Sequence, residues 1–287
     1  MDVSDYSARP MEPPGQDVLK AIERGPIAPG EALALEQVDR LLDPVPMPCE
    51  TGWCVLEDGV AYVAVRTAMP AVSGAMVDWW FDWHPRDPSR YRAWHPSAHL
   101  DNSLERVPHA RAGTREDEET NRAMHDPKRR VPHARAKAHW GAVHHPVEDV
   151  GTGVVRARIE FKAPTEMGMS SNALDDPRVA TIVCGYAGDD RLHVRHSPMF
   201  HIFLRDGEED GQGVVLRSRF WLGAALRPYG PLGGFGESLL NRPFVRHRAL
   251  PKGLPQALAR HCAEEYANLG AILPELYERF GPAGSAA

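Results

Sequence analysis

Between Leu254 and Phe280, apolar residues return at spacings of three, four and seven: Leu254, Leu258, Cys262, Leu269, Ile272, Leu273, Leu276 and Phe280. That period predicts an amphipathic helix with one face turned to a core. His261 and Glu265 interrupt the stripe four residues apart, and Glu265 stands where the pattern asks for an apolar side chain. A carboxylate facing a core must be paired, hydrogen-bonded or bound to a metal, because burying it bare costs several kcal/mol. Side chains at i and i+4 lie about 5–6 Å apart at Cβ. An imidazole and a carboxylate there can close on one ion through bonds of about 2 Å. The pair reads either as half of a metal site or as a helix His–Glu pair with one edge in water.

Upstream the period changes to two. Val154, Arg156, Arg158 and Glu160 alternate with Val155, Ala157, Ile159 and Phe161, which predicts a half-buried strand over Val154–Lys162. Further strands are expected over 179–186, 192–195, 199–205 and Val214–Leu222, and residues 223–251 read as an ordered loop or short turns. Near the start, strands over 52–57 and 60–67 flank Asp58-Gly59, a two-residue hairpin signal. Helices are expected over 18–24, 29–42 and 76–83, with another turn over 91–94. A sheet followed by one long terminal helix is an α+β arrangement, in which helix and sheet can enclose a cavity. The expected organisation is a small N-terminal accessory segment, 1–70, and a main domain, 71–287. The stretch 103–138 is a charged insertion within that domain. It carries RVPHARA twice, at 106–112 and 130–136, with almost none of the apolar residues that stacked repeats need. His109, His125 and His133 are therefore expected in a solvated loop.

Composition narrows the function classes. At 287 residues the chain can bury a full core, and its net charge of −6 argues against broad nucleic-acid binding. The polar start MDVSDYSARPMEPPGQD lacks a basic-then-apolar run, and no stretch is apolar enough for a membrane span, so neither a signal peptide nor membrane attachment is expected. Cys49, Cys54, Cys184 and Cys262 form no CxxC pair and read as reduced thiols of a cytoplasmic protein. The 14 histidines and 7 tryptophans stand out, and residues 71–102 hold four of the tryptophans together with three of the histidines. There Trp79, Trp80, Trp83 and Trp94 suit a core, while His95, His99 and Asn102 follow directly and suit a pocket. The segment 142–151 adds His144, His145, Glu148 and Asp149, and spacing does not choose among these candidate ligands.

Three motifs, DWWFDWHPRDPSRYRAWHPSAHLDN, SRFWLG and HCAEEYANLGAILPELY, resemble the 2,4-diacetylphloroglucinol hydrolase and phloretin hydrolase family, over roughly 52–277. The resemblance implies a zinc-dependent enzyme that hydrolyses the carbon–carbon bond between a polyhydroxylated aromatic ring and an acyl group. It also implies a Bet v 1-like, helix-grip fold and a homodimer formed partly through the N-terminal segment. By the same resemblance the zinc ligands are His99, Glu148, His261 and Glu265, with Glu160 as the alternative to Glu148. Glu160 shares a strand face with Arg156 and Arg158, a solvated pattern. Tyr91 and Asn102 match positions that hydrogen-bond the phenolic and acyl oxygens of a phenolic ketone. His201 matches a further catalytic histidine, with His193 and His196 close by in sequence. Phe220 stands where the diacetylphloroglucinol enzyme has a tyrosine. Two other classes remain open: a non-catalytic helix-grip carrier of phenolic or polyketide ligands, and a metal-dependent ester or lactone hydrolase.

Overall fold

The structure is a computed structural model, and it describes residues 2–106, 137–206, 213–229 and 237–282. His109, His125, His133 and nearly all of both RVPHARA copies lie outside the described residues. Two short helices, α1 (Ser4–Ser7) and α2 (Gln16–Glu23), precede a hairpin of β1 (Gly52–Val55) and β2 (Ala61–Met69). Helices α3 (Gly74–Trp83) and α4 (Pro88–Trp94) follow, then four short strands, β3 (His99–Asp101), β4 (Leu104–Arg106), β5 (Ala142–His144) and β6 (Val147–Asp149). The long strands are β7 (Val154–Lys162), β8 (Val179–Asp189), β9 (Val194–Arg205) and β10 (Val214–Leu222). The described chain ends with β11 (Arg227–Pro228), α5 (Glu237–Leu240), α6 (Pro243–Ala249) and α7 (Leu254–Phe280).

The strands form a large antiparallel sheet in the order β1-β2-β10-β9-β8-β7-β5-β4, with β11 on β9 and β6 bridging β3 to β7. The central strands are covered on both faces, which is why they read as near-continuous apolar runs. Val63, Val65, Val183, Met199, Phe203, Leu216 and Phe220 point to the face on which α7 lies, in one core with Cys262, Leu269, Leu273 and Leu276. The alternate residues Tyr62, Ala64, Ile182, Cys184, Phe200, Ile202 and Trp221 pack on Leu33, Val38 and Leu41 of the N-terminal segment. The helix therefore sits where its apolar stripe required, and the hairpin expected within 1–70 is built into the main sheet through β2 and β10.

Several elements differ from expectation, and the stretch 223–251, expected as a loop or short turns, carries β11, α5 and α6. The helix expected over 29–42 is two 3-10 turns, Pro29–Glu31 and Leu35–Leu42, broken by extended backbone at Ala32 and Ala34. Trp221 Nε1 donates to the Leu33 carbonyl (2.8 Å), so the sheet satisfies a group that a helix would have satisfied internally. The hairpin loop has three residues, since Leu56 N donates to the Val60 carbonyl and Gly59 adopts φ +82°. That is the turn with a left-handed glycine, not the two-residue form. The two strands expected over 192–195 and 199–205 are one, β9, despite Pro198. Pro198 is opposite Tyr186 of β8 on one side, while on the other side pairing with β10 stops at Met199 and pairing with β11 is confined to Val194 and Arg195, so the ladder on that side is interrupted at the proline.

Candidate metal centre

The site is assembled by α4, β3, β6 and α7. Asp87 caps α4 by accepting from Ser89 N at 2.8 Å, and Pro88 opens the helix. The chain then turns tightly: the backbone N–H groups of Ala98 and His99 both donate to the His95 carbonyl, at 3.1 and 2.8 Å, and β3 begins at His99. Two side chains clamp this turn onto α7. Trp94 Nε1 donates to the Glu265 carbonyl at 2.9 Å. Asn268 Nδ2 donates to the carbonyls of Trp94 (2.8 Å) and Ala93 (3.3 Å), which are among the unpaired C=O groups at the end of α4. His99 is thereby fixed over the turn of α7 that carries His261 and Glu265.

Strand register brings Glu148 beside His99. In the β3–β6 pair His99 is directly opposite Glu148, so the two side chains project from the same face as neighbours. Glu160, the alternative, lies on β7 with Arg158 Nε at 3.3 Å and Lys162 Nζ at 3.7 Å. Two cations already engage it.

His99 is fully buried, with Nδ1 3.0 Å from the Tyr91 carbonyl. Only an N–H can donate to a carbonyl, so Nδ1 carries the proton and Nε2 is a bare acceptor. That Nε2 faces His261 Nε2 at 3.4 Å and one carboxylate oxygen each from Glu148 and Glu265, both at 3.6 Å. His261 Nε2 lies 3.8 and 4.0 Å from the same two oxygens. His99, His261 and Glu265 each place a ligand atom within 4.8 Å of the others. Lone pairs thus converge on one point, and a single imidazole proton satisfies only one of these contacts. A cation satisfies all of them.

The electrostatics agree. Burial pushes the Glu265 carboxyl well above its ordinary range, and the neighbouring Glu148 pushes in the same direction. Burial drives the His99 imidazole well below its usual value, reinforced by His261, and burial also lowers His261. Both shifts favour the neutral forms, the response of titratable groups to burial without a compensating charge. Two imidazole nitrogens with carboxylate oxygens are a donor set that zinc accepts. Ligand atoms about 2.0–2.1 Å from a tetrahedral zinc stand about 3.3–3.4 Å from one another. For the set of His99, His261 and Glu265, whose ligand atoms all lie within 4.8 Å of one another, closing on the ion shortens the 4.0 Å contact of His261 Nε2 with Glu265 by about 0.7 Å, so these three fit the group. Glu148 meets both imidazoles, at 3.6 and 3.8 Å, but stands outside that set.

The remaining candidates separate. Tyr91 belongs to the cluster: its ring stacks on His99 with centroids 3.9 Å apart and an interplanar angle of 4°, and its hydroxyl donates to Glu148 Oε2. Asn102, between β3 and β4, is 2% exposed and its Oδ1 has no hydrogen-bond partner among the described residues. His201 and Phe220 sit on the sheet, on the face toward α7, with rings 5.4 Å apart; the His201 ring lies 5.0 Å from that of Tyr266. His201 Nδ1 lies 2.9 Å from Ser218 Oγ, and burial pushes its pKa down to about 3. His193, at φ +52°, is exposed, and His196 contacts Ser197. His145 is drawn away by Asp190 (2.6 Å) and Glu105 (3.1 Å), His144 packs on Phe161, and Asp149 caps the backbone of Gly151 and Gly153. His95 lies behind the cluster, stacked on His261 with centroids 5.1 Å apart. Asn268 and Ser218 carried no sequence signal, since a polar residue acquires such a role only through partners far along the chain. Trp94, read as core, is buried and also donates from its indole.

Known proteins bear on the same elements. Phloretin hydrolase of Eubacterium ramulus is 29% identical over 274 residues, covering 95% of this chain and 88% of that protein. The 2,4-diacetylphloroglucinol hydrolase of Pseudomonas protegens is 28% identical over 277 residues, covering 92% of this chain and 80% of its own length. A 2,4-diacetylphloroglucinol hydrolase from a Pseudomonas species is 28% identical over 277 residues, with 92% and 83% covered. The family model described as DAPG hydrolase PhiG domain matches residues 33–278, a span that takes in the N-terminal cover, every long strand, α4 and α7 through Glu265 and Asn268. The chain belongs to that DAPG hydrolase family.

Proposed function

We propose that this protein is a zinc-dependent hydrolase cleaving the carbon–carbon bond between a polyhydroxylated aromatic ring and its acyl group, on a Bet v 1-like, helix-grip framework. The observation that carries the reading is the bare Nε2 of His99 facing His261, Glu148 and Glu265 at 3.4–3.6 Å in a buried site. The names of the relatives, phloretin hydrolase and 2,4-diacetylphloroglucinol hydrolase, support an acylated polyphenol as substrate. His99, Glu148, His261 and Glu265 would hold the ion. When bound, zinc polarises an acyl oxygen and lowers the pKa of water toward roughly 7.

The chain's own residues supply the rest. In the overall reaction the acyl carbon takes the hydroxyl of water, the leaving ring carbon takes a proton, and an arene and a carboxylic acid are released. A polyhydroxylated ring eases this step, because its keto form already has a tetrahedral leaving carbon. Asn102 Oδ1, buried and without a partner among the described residues, is an acceptor suited to a phenolic hydroxyl. His201 is neutral near pH 7 and tied through Nδ1 to Ser218, which frees its other ring nitrogen to move a proton between phenol, water and the leaving carbon. Phe220 gives that region an apolar wall beside His201.

Metal analysis of protein purified without an affinity tag, together with a screen of acylated phenols for released acid, tests the proposal. We expect one zinc per chain and loss of both zinc and activity in His261→Ala. Full zinc content in that variant refutes the ligand assignment. A metal-free, inactive wild type that still binds phenols identifies a carrier instead.

A further inference from the structure

Tyr91 reaches two of the candidate ligands by three separate means. Its backbone carbonyl accepts from His99 Nδ1 at 3.0 Å, its ring lies parallel to the His99 imidazole at 3.9 Å, and its hydroxyl donates to Glu148 Oε2. The ring is itself held from behind: His84 stacks on it with centroids 5.9 Å apart, and His84 is anchored through Nδ1 to the Trp80 carbonyl at 2.8 Å. Trp94 meets the Tyr91 ring edge-on at 6.1 Å. Tyr91 is 4% exposed, so its side of these contacts is shielded from bulk water.

We propose that Tyr91 is the organising residue of the metal centre, fixing the tautomer and plane of His99 and the rotamer of Glu148. The inference rests on the metal reading above and gives Tyr91 a different role from the substrate contact that its sequence position implies. An imidazole that binds through Nε2 needs its Nδ1–H held by an acceptor, and a carboxylate ligand needs a donor to choose which lone pair faces the ion. Tyr91 meets both needs from adjacent α4 and leaves Glu148 Oε2 a second lone pair for the ion. With its proton committed to Glu148, the hydroxyl can accept from a substrate phenol but cannot donate to an acyl carbonyl.

Zinc affinity, measured by competition with a chromophoric chelator, separates the roles. Tyr91→Phe keeps the stack and the backbone carbonyl and deletes only the hydroxyl. It should weaken zinc binding about 10–100-fold, the usual effect of losing an outer-sphere partner. In a Glu148→Ala background the same change should add less than about twofold, because Tyr91 acts through Glu148. Unchanged zinc affinity with the whole loss in KM would overturn the inference and leave Tyr91 a substrate contact. A wild type that binds no zinc sinks the metal reading itself, and so the two failures are distinguishable. Should Tyr91→Phe not fold, the imidazole nitrogen shifts of His99 in the metal-free wild type decide: a proton on Nδ1 is required, and one on Nε2 overturns the inference.

Discussion

Asn268 holds the candidate site together without touching it, and its removal has a calculable cost. Its side chain is 4% exposed, donates to the carbonyls of Trp94 at 2.8 Å and Ala93 at 3.3 Å, and accepts from Glu12 N at 3.2 Å. Asn268→Ala leaves two buried carbonyls at the end of α4 without donors, each worth about 1–3 kcal/mol once water cannot replace the partner. The Glu12 N–H is less buried and adds about 0.5 kcal/mol. The sum is about 2.5–6.5 kcal/mol, and at roughly 2–4 °C per kcal/mol for a chain of this size the melting temperature should fall by roughly 5–26 °C. Because α4 positions the turn that delivers His99, zinc affinity should fall as well, although Asn268 is three residues beyond Glu265. Differential scanning calorimetry of the metal-free protein and chelator competition on the loaded protein read the two effects. A melting temperature within about 2 °C of wild type, with unchanged zinc affinity, would refute the clamp and with it the account of how His99 is placed.

Ser218→Ala removes the 2.9 Å partner of His201 Nδ1 and should lower kcat roughly tenfold or more while zinc content stays full; equal loss of zinc would show that the serine acts on the metal centre. Glu148→Gln should lower zinc affinity and Glu160→Gln should not, since Glu160 is paired with Arg158 and Lys162; the reverse outcome in metal analysis exchanges the two. Glu50 lies between the buried guanidiniums of Arg217 (2.7 Å) and Arg219 (3.3 Å) on the far face of the sheet. Burial works to raise its carboxyl, but the Met47 N–H and the two arginines outweigh this and hold it below the usual range. Its stabilisation is therefore present above the unfolded carboxylate pKa of about 4.3 and is lost as pH falls toward the lower folded value. Glu50→Gln should cost about 3 kcal/mol at pH 7 by leaving the arginines uncompensated, and should flatten the acid limb of a urea-midpoint profile; an unchanged limb would exclude Glu50 as its source.

The parts of this molecule that could be read in the sequence are those governed by local period. The α7 stripe gave the helix over its full length, and because Glu265 broke an otherwise apolar stripe, a buried carboxylate was recognisable before any contact was known. Strands β7 and β10 emerged with their observed bounds, since alternation and apolar continuity are properties of neighbouring residues. What stayed hidden was set by partners far along the chain. Leu33 leaves a helical path because Trp221, nearly two hundred residues on, takes its carbonyl. Pro198 is tolerated in β9 because β10 and β11 end on either side of it. Among the candidate ligands the same division holds. His261 and Glu265 follow from one helix, whereas His99 and Glu148 meet through the β3–β6 register, across an insertion that no spacing rule can bridge. Each of the two pairs is explained by its own element, but their convergence is not: separately, a helix and a two-stranded ribbon would lose nothing by turning these groups to water. His99, His261 and Glu265 bring polar atoms within 4.8 Å of one another in the interior, an arrangement that a cation would compensate, so the proposed ion site is a property of the meeting of two elements and of neither alone.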